Sequence, residues 1–317
     1  MDHQIRVINN FIENLQCIQT VPTSGGKTLI TATLSSLVEP YGRSIVIVPT
    51  KDLATQTLES YQLLGLDVGV FTGDVKNWGK KHTICTWQSL ESLNRRTKDG
   101  ITEDDKDIIT FTKDVVAVMV DEAHSAKADV LHGLMTKIFH KAPIRWGLTG
   151  TIPKIELEAV SLVSSIGEII KGISATELQE LGVLSKCNID IIQTQDDGNF
   201  KKYHDEVSYL IGNKERLDII SSLISEVSNS GNTLVLVNRV STGEELCNLI
   251  PGSVFIDGKV KSINRKKEYD SVSTLDNKVI IATFGVAAVG INIPRIFNLV
   301  LIEPGKSFVR TIQSIGR

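Results

Sequence analysis

The chain has 317 residues, of which 41% are hydrophobic and 22% are charged, and its formal net charge is −3. This length predicts about two domains, and the composition is that of an ordinary soluble globular protein. The slightly acidic balance argues against a polybasic protein that coats nucleic acid or a membrane surface. No apolar run of about 18 residues occurs, and the N-terminus lacks the basic start and apolar block of a signal peptide, so no membrane association is predicted.

The four cysteines, Cys17, Cys85, Cys187 and Cys247, are far apart, so the sequence contains no CxxC metal or redox motif. The first three lie in apolar segments typical of strands, and we expect them to be buried thiols. Reduced thiols are typical of a cytoplasmic protein, and this is the location that the sequence predicts.

Short β-branched runs alternate with helical segments through most of the chain. The runs predicted to be strands are residues 17–20, 44–48, 82–86, 115–120, 144–148, 188–194, 233–237, 278–282 and 298–302. Apolar strands that alternate with helices predict parallel sheets covered on both faces. The strands form two clusters, which predicts two α/β domains, residues 1–172 and 173–317.

The segment TVPTSGGKT joins the first predicted strand to a helix that begins near Lys27. Paired glycines let backbone amides turn towards an anion, and a helix N-terminus attracts negative charge, so this context predicts a phosphate loop. In such a loop Lys27 binds the β- and γ-phosphates of ATP and Thr28 binds Mg²⁺. The residues predicted to contact the nucleotide here are Thr23, Ser24, Gly25, Gly26, Lys27 and Thr28. The usual GxxxxGK[ST] pattern has glycine where this chain has Val21, and a plain glycine-rich turn is the alternative for this segment alone.

Two carboxylates, Asp121 and Glu122, follow the apolar strand predicted at residues 115–120. In open parallel sheets a ligand lies beyond the carboxyl ends of the strands, which predicts that Asp121 lies beside the phosphate loop. Asp121 is then a candidate Mg²⁺ ligand, and Glu122 a candidate group to orient or deprotonate water. Acidic residues are also common at helix N-termini, and this is the alternative interpretation of the pair.

Several segments resemble the ordered motifs of superfamily 2 helicases. In chain order they are VPTSGGKT at 21–28, PTKDLATQ at 49–56, TICTWQSL at 83–90, DEAH at 121–124, LTGT at 148–151, LVLVNR at 234–239, IIAT…GINIP at 280–294 and QSIGR at 313–317. The sequence segments between these motifs, such as ENLQCIQT and LDVGVFTGD, resemble those of the phage UvsW-type branched-DNA helicases.

The resemblance implies two tandem RecA-like parallel-sheet domains with a nucleotide cleft between them, and an ATP- and Mg²⁺-dependent motor that remodels branched DNA in recombination, repair or replication. A phage protein of this kind would act in the cytoplasm of the bacterial host. It also implies that Arg317 joins Lys27, Asp121 and Glu122 in catalysis, and that Gln4, Gly290 and Gln313 contact the nucleotide. Coupling between hydrolysis and movement is assigned to His124, Thr149 and Thr151. The residues implied to contact the nucleic-acid strand are Thr50, Gln56, Thr86, Arg239 and Thr283.

The chain departs from the family pattern in two places. Met1 and His3 stand where the adenine-reading element usually has Arg and Tyr, and the last motif stops at Arg317, before its second arginine, so we expect the chain to be a fragment. RNA is a less favoured substrate than DNA. The alternatives that remain open are an RNA helicase, the motor of a restriction enzyme, and a fragment that binds ATP or DNA without turnover. A small-molecule P-loop kinase is disfavoured because it leaves the motifs of the second half unexplained.

Overall fold

The computed structural model describes residues 2–101, 107–125, 128–153, 156–193, 198–258, 275–287 and 295–302. The chain divides after Lys186 into two compact units. The predicted boundary, after residue 172, lies before this division. The difference arises because a short helix, Ala175–Glu180, buries Leu178 in the core of the first unit.

The first unit is an eight-stranded sheet with helices on both faces. Its strands are β1 Gln16–Thr20, β2 Arg43–Val48, β3 Val68–Phe71, β4 Lys76–Asn77, β5 His82–Thr86, β6 Val115–Asp121, β7 Ile144–Thr149 and β8 Glu168–Ile170. Its α-helices are α1 Asp2–Glu13, α2 Lys27–Val38, α3 Lys51–Leu63, α4 Trp87–Lys98, α5 Ile108–Thr112, α6 Ala128–Gly133, α7 Glu156–Ser165 and α8 Ala175–Glu180. The strand order is β4-β3-β5-β2-β6-β7-β1-β8, with every pairing parallel except β3 with β4.

Both faces of this sheet are buried. Along β2, Val46 and Val48 belong to one hydrophobic cluster, whereas Ile45 and Ile47 belong to the cluster on the opposite face. Successive side chains of a strand point to opposite faces, so a continuous run of β-branched residues suits a strand that is covered on both sides. The sheet is therefore a rigid layer whose strand ends position the loops between strands and helices.

The second unit contains a four-stranded parallel sheet in the order β10-β11-β9-β12. Its described strands are β9 Thr233–Val237, β10 Val254–Ile256, β11 Val279–Thr283 and β12 Asn298–Leu301. Its described helices are α9 Tyr203–Gly212, α10 Lys214–Ser228, α11 Val240–Leu249 and α12 Phe284–Ala287. Side chains of β9 again alternate between two hydrophobic clusters, with Leu234 and Leu236 on one face and Val235 and Val237 on the other.

The predicted α/β architecture with parallel sheets is confirmed, but the strand predicted at residues 188–194 is wrong. The described part of this segment, residues 188–193, has no regular structure, and the side chains of Ile189, Ile191 and Ile192 are exposed. A β-branched run becomes a strand only when a neighbouring strand satisfies its backbone groups, and local sequence does not report that neighbour. The same segment exposes Cys187, which was expected to be buried, whereas Cys17 and Cys85 are buried as predicted.

Four short strands of two to four residues each, β3, β4, β8 and β10, were not predicted from the sequence. Among the helices of the described ranges, none has the length and apolar character that crossing a membrane requires.

Candidate active site

The predicted phosphate loop and the acidic pair lie at the same edge of the first sheet. Strands β6, β7 and β1 are neighbours, and the parallel register aligns Asp121 with Leu148, and Thr149 with Thr20. The carboxyl ends of parallel strands meet at one edge, so the segments that follow these three strands converge there. The sheet thus brings together residues that are about a hundred positions apart in the sequence.

The phosphate loop turns through two residues in the left-handed backbone region. Ser24 has φ +63° and Gly26 has φ +83°, and the carbonyl of Gly26 accepts the first hydrogen bond of α2 from Ile30 at 3.1 Å. The positive φ of Gly26 would strain any residue with a side chain, and a Cβ atom there would lie 2.0 Å from Nε2 of Gln4. Gln4, predicted as a nucleotide contact, is therefore held against the loop by α1.

Val21 occupies the position at which the usual phosphate-loop pattern has glycine. Its N–H donates to the carbonyl of Thr149 at 2.8 Å, which extends the pairing of β1 with β7, and its side chain is buried in the core of the unit. A Cβ at Gly25 would lie 2.9 Å from Cγ1 of Val21. The valine is thus a packing residue below the loop, and its presence leaves the turn that precedes Lys27 intact.

Lys27 is in direct contact with the acidic pair. Its ammonium group donates a hydrogen bond to Oε1 of Glu122 and lies 4.0 Å from Oδ1 of Asp121. The three side chains are nearly buried, with exposed fractions of 10% for Lys27, 8% for Asp121 and 13% for Glu122. A cation among two carboxylates at low solvent exposure is an electrostatic cluster of the kind found at catalytic sites.

The two carboxylates have opposite pKa shifts. Burial raises the pKa of Asp121 to about 6, against the attraction of Lys27, and the charge on Glu122 adds to the rise. Burial also acts to raise the pKa of Glu122, but the charge of Lys27 and its hydrogen bond outweigh burial, so the pKa of Glu122 is lowered. Lys27 therefore holds Glu122 in its ionised form.

Glu122 is fixed by its backbone as well as by Lys27. It has φ +48°, which is uncommon for a residue with a side chain, and its N–H donates to Oδ1 of Asp121 at 2.8 Å. The backbone of Gly150 also hydrogen-bonds to Glu122 and helps to lower the pKa of Glu122. Gly150 was not predicted as a site residue, although it stands between the predicted coupling residues Thr149 and Thr151.

His124, Thr149 and Thr151 form a hydrogen-bonded chain next to Glu122. The Thr149 hydroxyl donates to the carbonyl of Thr151 at 2.7 Å, and Nδ1 of His124 lies 2.6 Å from the same hydroxyl oxygen. A hydroxyl has one proton, so Nδ1 of His124 must donate to Thr149. Nδ1 also lies 3.6 Å from Oε2 of Glu122, and burial lowers the pKa of His124 and favours the neutral ring. The predicted coupling residues are therefore in contact with one another and with the acidic pair.

The groups at this edge fit a magnesium nucleotide. Gly26, Lys27 and the N-terminus of α2 provide backbone amides and a cation for phosphate oxygens. The hydroxyl of Thr28 and the carboxylate of Asp121 are oxygen ligands of the kind that Mg²⁺ prefers.

The residues predicted to contact nucleic acid in the first unit differ in their accessibility. Thr50 precedes α3, and its hydroxyl caps that helix by accepting from the N–H of Leu53 at 3.2 Å. Gln56 is half-buried on the same helix. Thr86 is buried, and its hydroxyl shares a 2.8 Å hydrogen bond with Ser89, so the structure gives both threonines an internal partner.

Two further predicted contacts lie in the second unit. Thr283 ends β11, and Arg239 follows β9 and precedes α11. The register of the two strands pairs Thr283 with Val237, so Thr283 and Arg239 share the carboxyl edge of the second sheet. Both are half-buried. Gly290, Gln313 and Arg317 lie outside the described residues, and their predicted roles stay predictions.

Two family models match this chain. Residues 1–154 match a model described as the res subunit of type III restriction enzymes, and residues 215–317 match the helicase conserved C-terminal domain. The chain is 24% identical over 326 residues to the ATP-dependent DNA helicase uvsW of Enterobacteria phage T4. That alignment covers 96% of this chain and 62% of the T4 protein, so the chain spans about three fifths of the length of that relative.

Solved helicase structures share the fold. The Mycobacterium smegmatis helicase Lhr, bound to ssDNA and AMP-PNP, has a TM-score of 0.69 and 20% identity over 99% of this chain and 43% of its own. The helicase domain of Pyrococcus furiosus Hef has a TM-score of 0.56 and 17% identity over 99% of this chain and 92% of its own. These two structures show that the chain shares its fold with helicases, and the family model that matches residues 215–317 identifies that part of the chain as a helicase conserved C-terminal domain.

Proposed function

We propose that the chain is the motor core of an ATP-dependent DNA helicase or translocase that remodels branched DNA in recombination, repair or replication. The observation that carries the proposal is the contact of Lys27 with Asp121 and Glu122, in a nearly buried cluster beside the glycine-containing turn that precedes α2. The T4 relative, which matches along 96% of this chain, is named an ATP-dependent DNA helicase and supports the choice of DNA.

In this proposal Lys27 and the loop 23–28 bind the phosphates, and Gln4 lies at the margin of the same site. Mg²⁺, held by Thr28 and Asp121, would supply positive charge that neutralises the transferring phosphoryl group. Glu122 orients and deprotonates the attacking water. Arg317 is proposed to stabilise the transition state, and Gly290 and Gln313 to contact the nucleotide.

The contact of Lys27 with Glu122 couples nucleotide binding to the activation of Glu122 as the general base that accepts a proton from water. While the ammonium group donates to Oε1, that oxygen is engaged and Glu122 is a weak acceptor for a proton from water. A phosphate group competes for Lys27 with a greater negative charge, and its binding therefore frees the carboxylate. The resulting rise in the proton affinity of Glu122 occurs only when substrate is present.

Nucleic acid is proposed to lie along the carboxyl edges of the two sheets, near Thr50, Gln56 and Thr86 in one unit and Arg239 and Thr283 in the other. Contacts of hydroxyl, amide and backbone groups with phosphates do not need a basic protein, so a net charge of −3 is compatible with this assignment. Thr149 and His124 are proposed to transmit changes in the charge and position of Glu122 to the loop that contains Thr151.

The test is the rate of ATP hydrolysis in the presence of single-stranded, linear duplex, forked and four-way DNA, with RNA as the control. We expect forked and four-way DNA to stimulate hydrolysis most. Stimulation by RNA alone would instead make the chain an RNA helicase core, and binding of ATP and DNA without turnover would make it a non-catalytic fragment.

A restriction-enzyme motor is a second candidate, because the model that matches residues 1–154 is described as the res subunit of type III restriction enzymes. The same assay separates the two, since a motor that tracks along unbranched duplex would be stimulated by linear duplex as strongly as by branched DNA.

A further inference from the structure

An exposed ion pair joins two loops at the carboxyl edge of the first sheet. Nζ of Lys51 lies 2.7 Å from Oδ2 of Asp74, and the two side chains are 55% and 72% exposed. Lys51 is the first residue of α3, immediately after Thr50, and Asp74 follows β3 by three residues. Neither residue has a role in the proposed hydrolysis, so the pair needs a separate explanation.

The pair spans the end of another strand. In the sheet order β3-β5-β2, strand β5 lies between the strands that lead to Asp74 and to Lys51. Neighbouring strands are about 4.8 Å apart, so the connection reaches over two strand spacings. The register pairs Phe71 of β3 with Cys85, and Val48 of β2 with Thr86, so the residues that follow β3 and β2 flank the end of β5.

Local structure holds both partners in this arrangement. Residues 72–75 form a tight turn in which the N–H of Thr72 donates to the carbonyl of Val75 at 2.8 Å, and the N–H of Val75 donates to the Thr72 hydroxyl at 3.3 Å. A Cβ atom at Gly73 would lie 3.2 Å from Nζ and 3.4 Å from Cε of Lys51. The lysine side chain thus lies across this glycine to reach Asp74.

We infer that Asp74 is an electrostatic latch that holds Lys51 away from the phosphates of a nucleic-acid strand until the strand displaces it. The inference rests on the proposed function, because it assumes that the carboxyl edge of this sheet faces a nucleic-acid backbone. An exposed ion pair has a small net free energy, so a polyanion can break it by offering Lys51 a phosphate in place of a carboxylate. Asp74 then remains as a negative charge beside the strand and limits the affinity.

The test is the affinity of the chain for a fluorescent single-stranded oligodeoxynucleotide, measured by anisotropy at several salt concentrations. We expect Asp74→Asn to tighten binding about threefold at about 0.1 M salt, within the range of an exposed charge pair. In the unmodified chain Lys51 exchanges the Asp74 carboxylate for a DNA phosphate, whereas in Asp74→Asn it gains a phosphate without losing a carboxylate. The slope of log K against log salt should therefore steepen by about 0.7 in the variant. A change in packing alone would not move that slope.

Asp67→Asn is the matched control. Asp67 forms a similar exposed ion pair with Lys80, at 3.0 Å and with exposed fractions of 51% and 47%, but it lies just before the amino end of β3, at the opposite edge of the sheet. This substitution removes the same charge from the chain, and we expect it to leave both the affinity and the slope close to those of the unmodified chain.

Lys51→Gln separates the latch from simple repulsion. If Asp74 acts through Lys51, Asp74→Asn has no effect on the slope in the Lys51→Gln background. The latch would be overturned if Asp74→Asn raised the DNA affinity equally with Lys51 and with Gln at position 51. It would also be overturned if Asp67→Asn raised the affinity as much as Asp74→Asn does. Both outcomes would leave DNA binding established. Absence of binding by the unmodified chain and every variant would overturn the proposed function together with the latch.

Discussion

Nδ1 of His124 donates a hydrogen bond to the hydroxyl of Thr149 across 2.6 Å, and that hydroxyl donates in turn to the carbonyl of Thr151. This relationship joins the end of β6 to the end of β7 through side chains that are 25 residues apart in the sequence. The chain of hydrogen bonds begins 3.6 Å from the Glu122 carboxylate, and we propose that it carries a change in the charge or position of Glu122 to the loop after β7.

Thr149→Val should weaken this link while preserving shape. The change removes the buried hydroxyl that accepts from His124 and donates to the carbonyl of Thr151, and we expect the free energy of unfolding to fall by about 1–3 kcal/mol. If the link transmits the nucleotide state, the stimulation of ATP hydrolysis by DNA should also decrease. Urea denaturation and the ratio of ATPase rates with and without DNA measure the two effects.

Thr136→Val is the control for that substitution, because the Thr136 hydroxyl makes a 2.7 Å bond to the carbonyl of His132 on an exposed helical face. Thr136→Val should change the free energy of unfolding by no more than about 0.5 kcal/mol and should leave the stimulation of ATP hydrolysis by DNA unchanged. A variant Thr149→Val that loses stability but keeps full DNA stimulation would limit Thr149 to a structural role.

Lys27→Ala should abolish ATP hydrolysis. The substitution removes the phosphate-binding cation and leaves two nearly buried carboxylates without their cation, and we expect a loss of at least about 100-fold in the rate. Phosphate release in the presence of DNA measures the rate, and circular dichroism measures the folded fraction. Lys80→Ala, at the opposite edge of the sheet, should keep the unmodified rate. Unmodified turnover in Lys27→Ala would refute the assignment of the phosphate loop.

Glu122→Gln should trap bound ATP. The amide keeps the size of the side chain and can still accept from Lys27, but it cannot take a proton from water. We expect hydrolysis to fall by about 10²- to 10⁴-fold, the usual contribution of general-base catalysis, while nucleotide affinity is retained. Titration with a fluorescent ATP analogue and single-turnover hydrolysis distinguish the two steps. If the variant lost nucleotide affinity instead, Glu122 would have a structural role.

Acid should destabilise the first unit through His82. This ring is fully buried between the hydroxyl of Ser44, at 2.9 Å from Nδ1, and the carboxylate of Glu39, at 3.3 Å from Nε2. Burial lowers the pKa of His82 below its ordinary value of 6.5, despite the opposing effect of Glu39. The unfolded chain therefore binds the proton more strongly than the folded chain does. The contribution of neutral His82 to the stability of the folded chain is complete above pH 6.5 and is lost as the pH falls below that value.

Urea denaturation at a series of pH values tests this dependence. One proton contributes a slope of up to about 1.4 kcal/mol per pH unit. His82→Gln removes the titrating ring and should flatten the slope below pH 6.5 by that amount. His140→Gln, on an exposed ring, is the control and should leave the slope unchanged. Equal slopes in His82→Gln and the unmodified chain would assign the acid sensitivity to other groups.

Local sequence was sufficient for the longer elements. The run of β-branched residues in β2 was enough to predict that strand, because a continuous apolar run suits a strand buried on both faces. The glycine-containing turn before α2 was predicted from local sequence as well, since Gly26, Lys27 and the start of α2 are adjacent in the chain. The acidic pair was likewise located by the strand that precedes it.

Other properties depend on residues that are distant in the sequence. The isoleucines at 189, 191 and 192 have a strand-like pattern but are exposed, because no described strand supplies their backbone partners. Thr86 was predicted to face a nucleic-acid strand, and only the packing of α4 against β5 shows that its hydroxyl is engaged by Ser89.

The sequence by itself therefore determined the α/β class, the family motifs and the identity of the charged groups. Tertiary structure decided how those groups are paired: Lys27 with Glu122, His124 with Thr149, and Lys51 with Asp74. The physical reason is that strand order sets which loops meet at the carboxyl edge of the sheet, and strand order arises from packing between segments that are far apart in the chain.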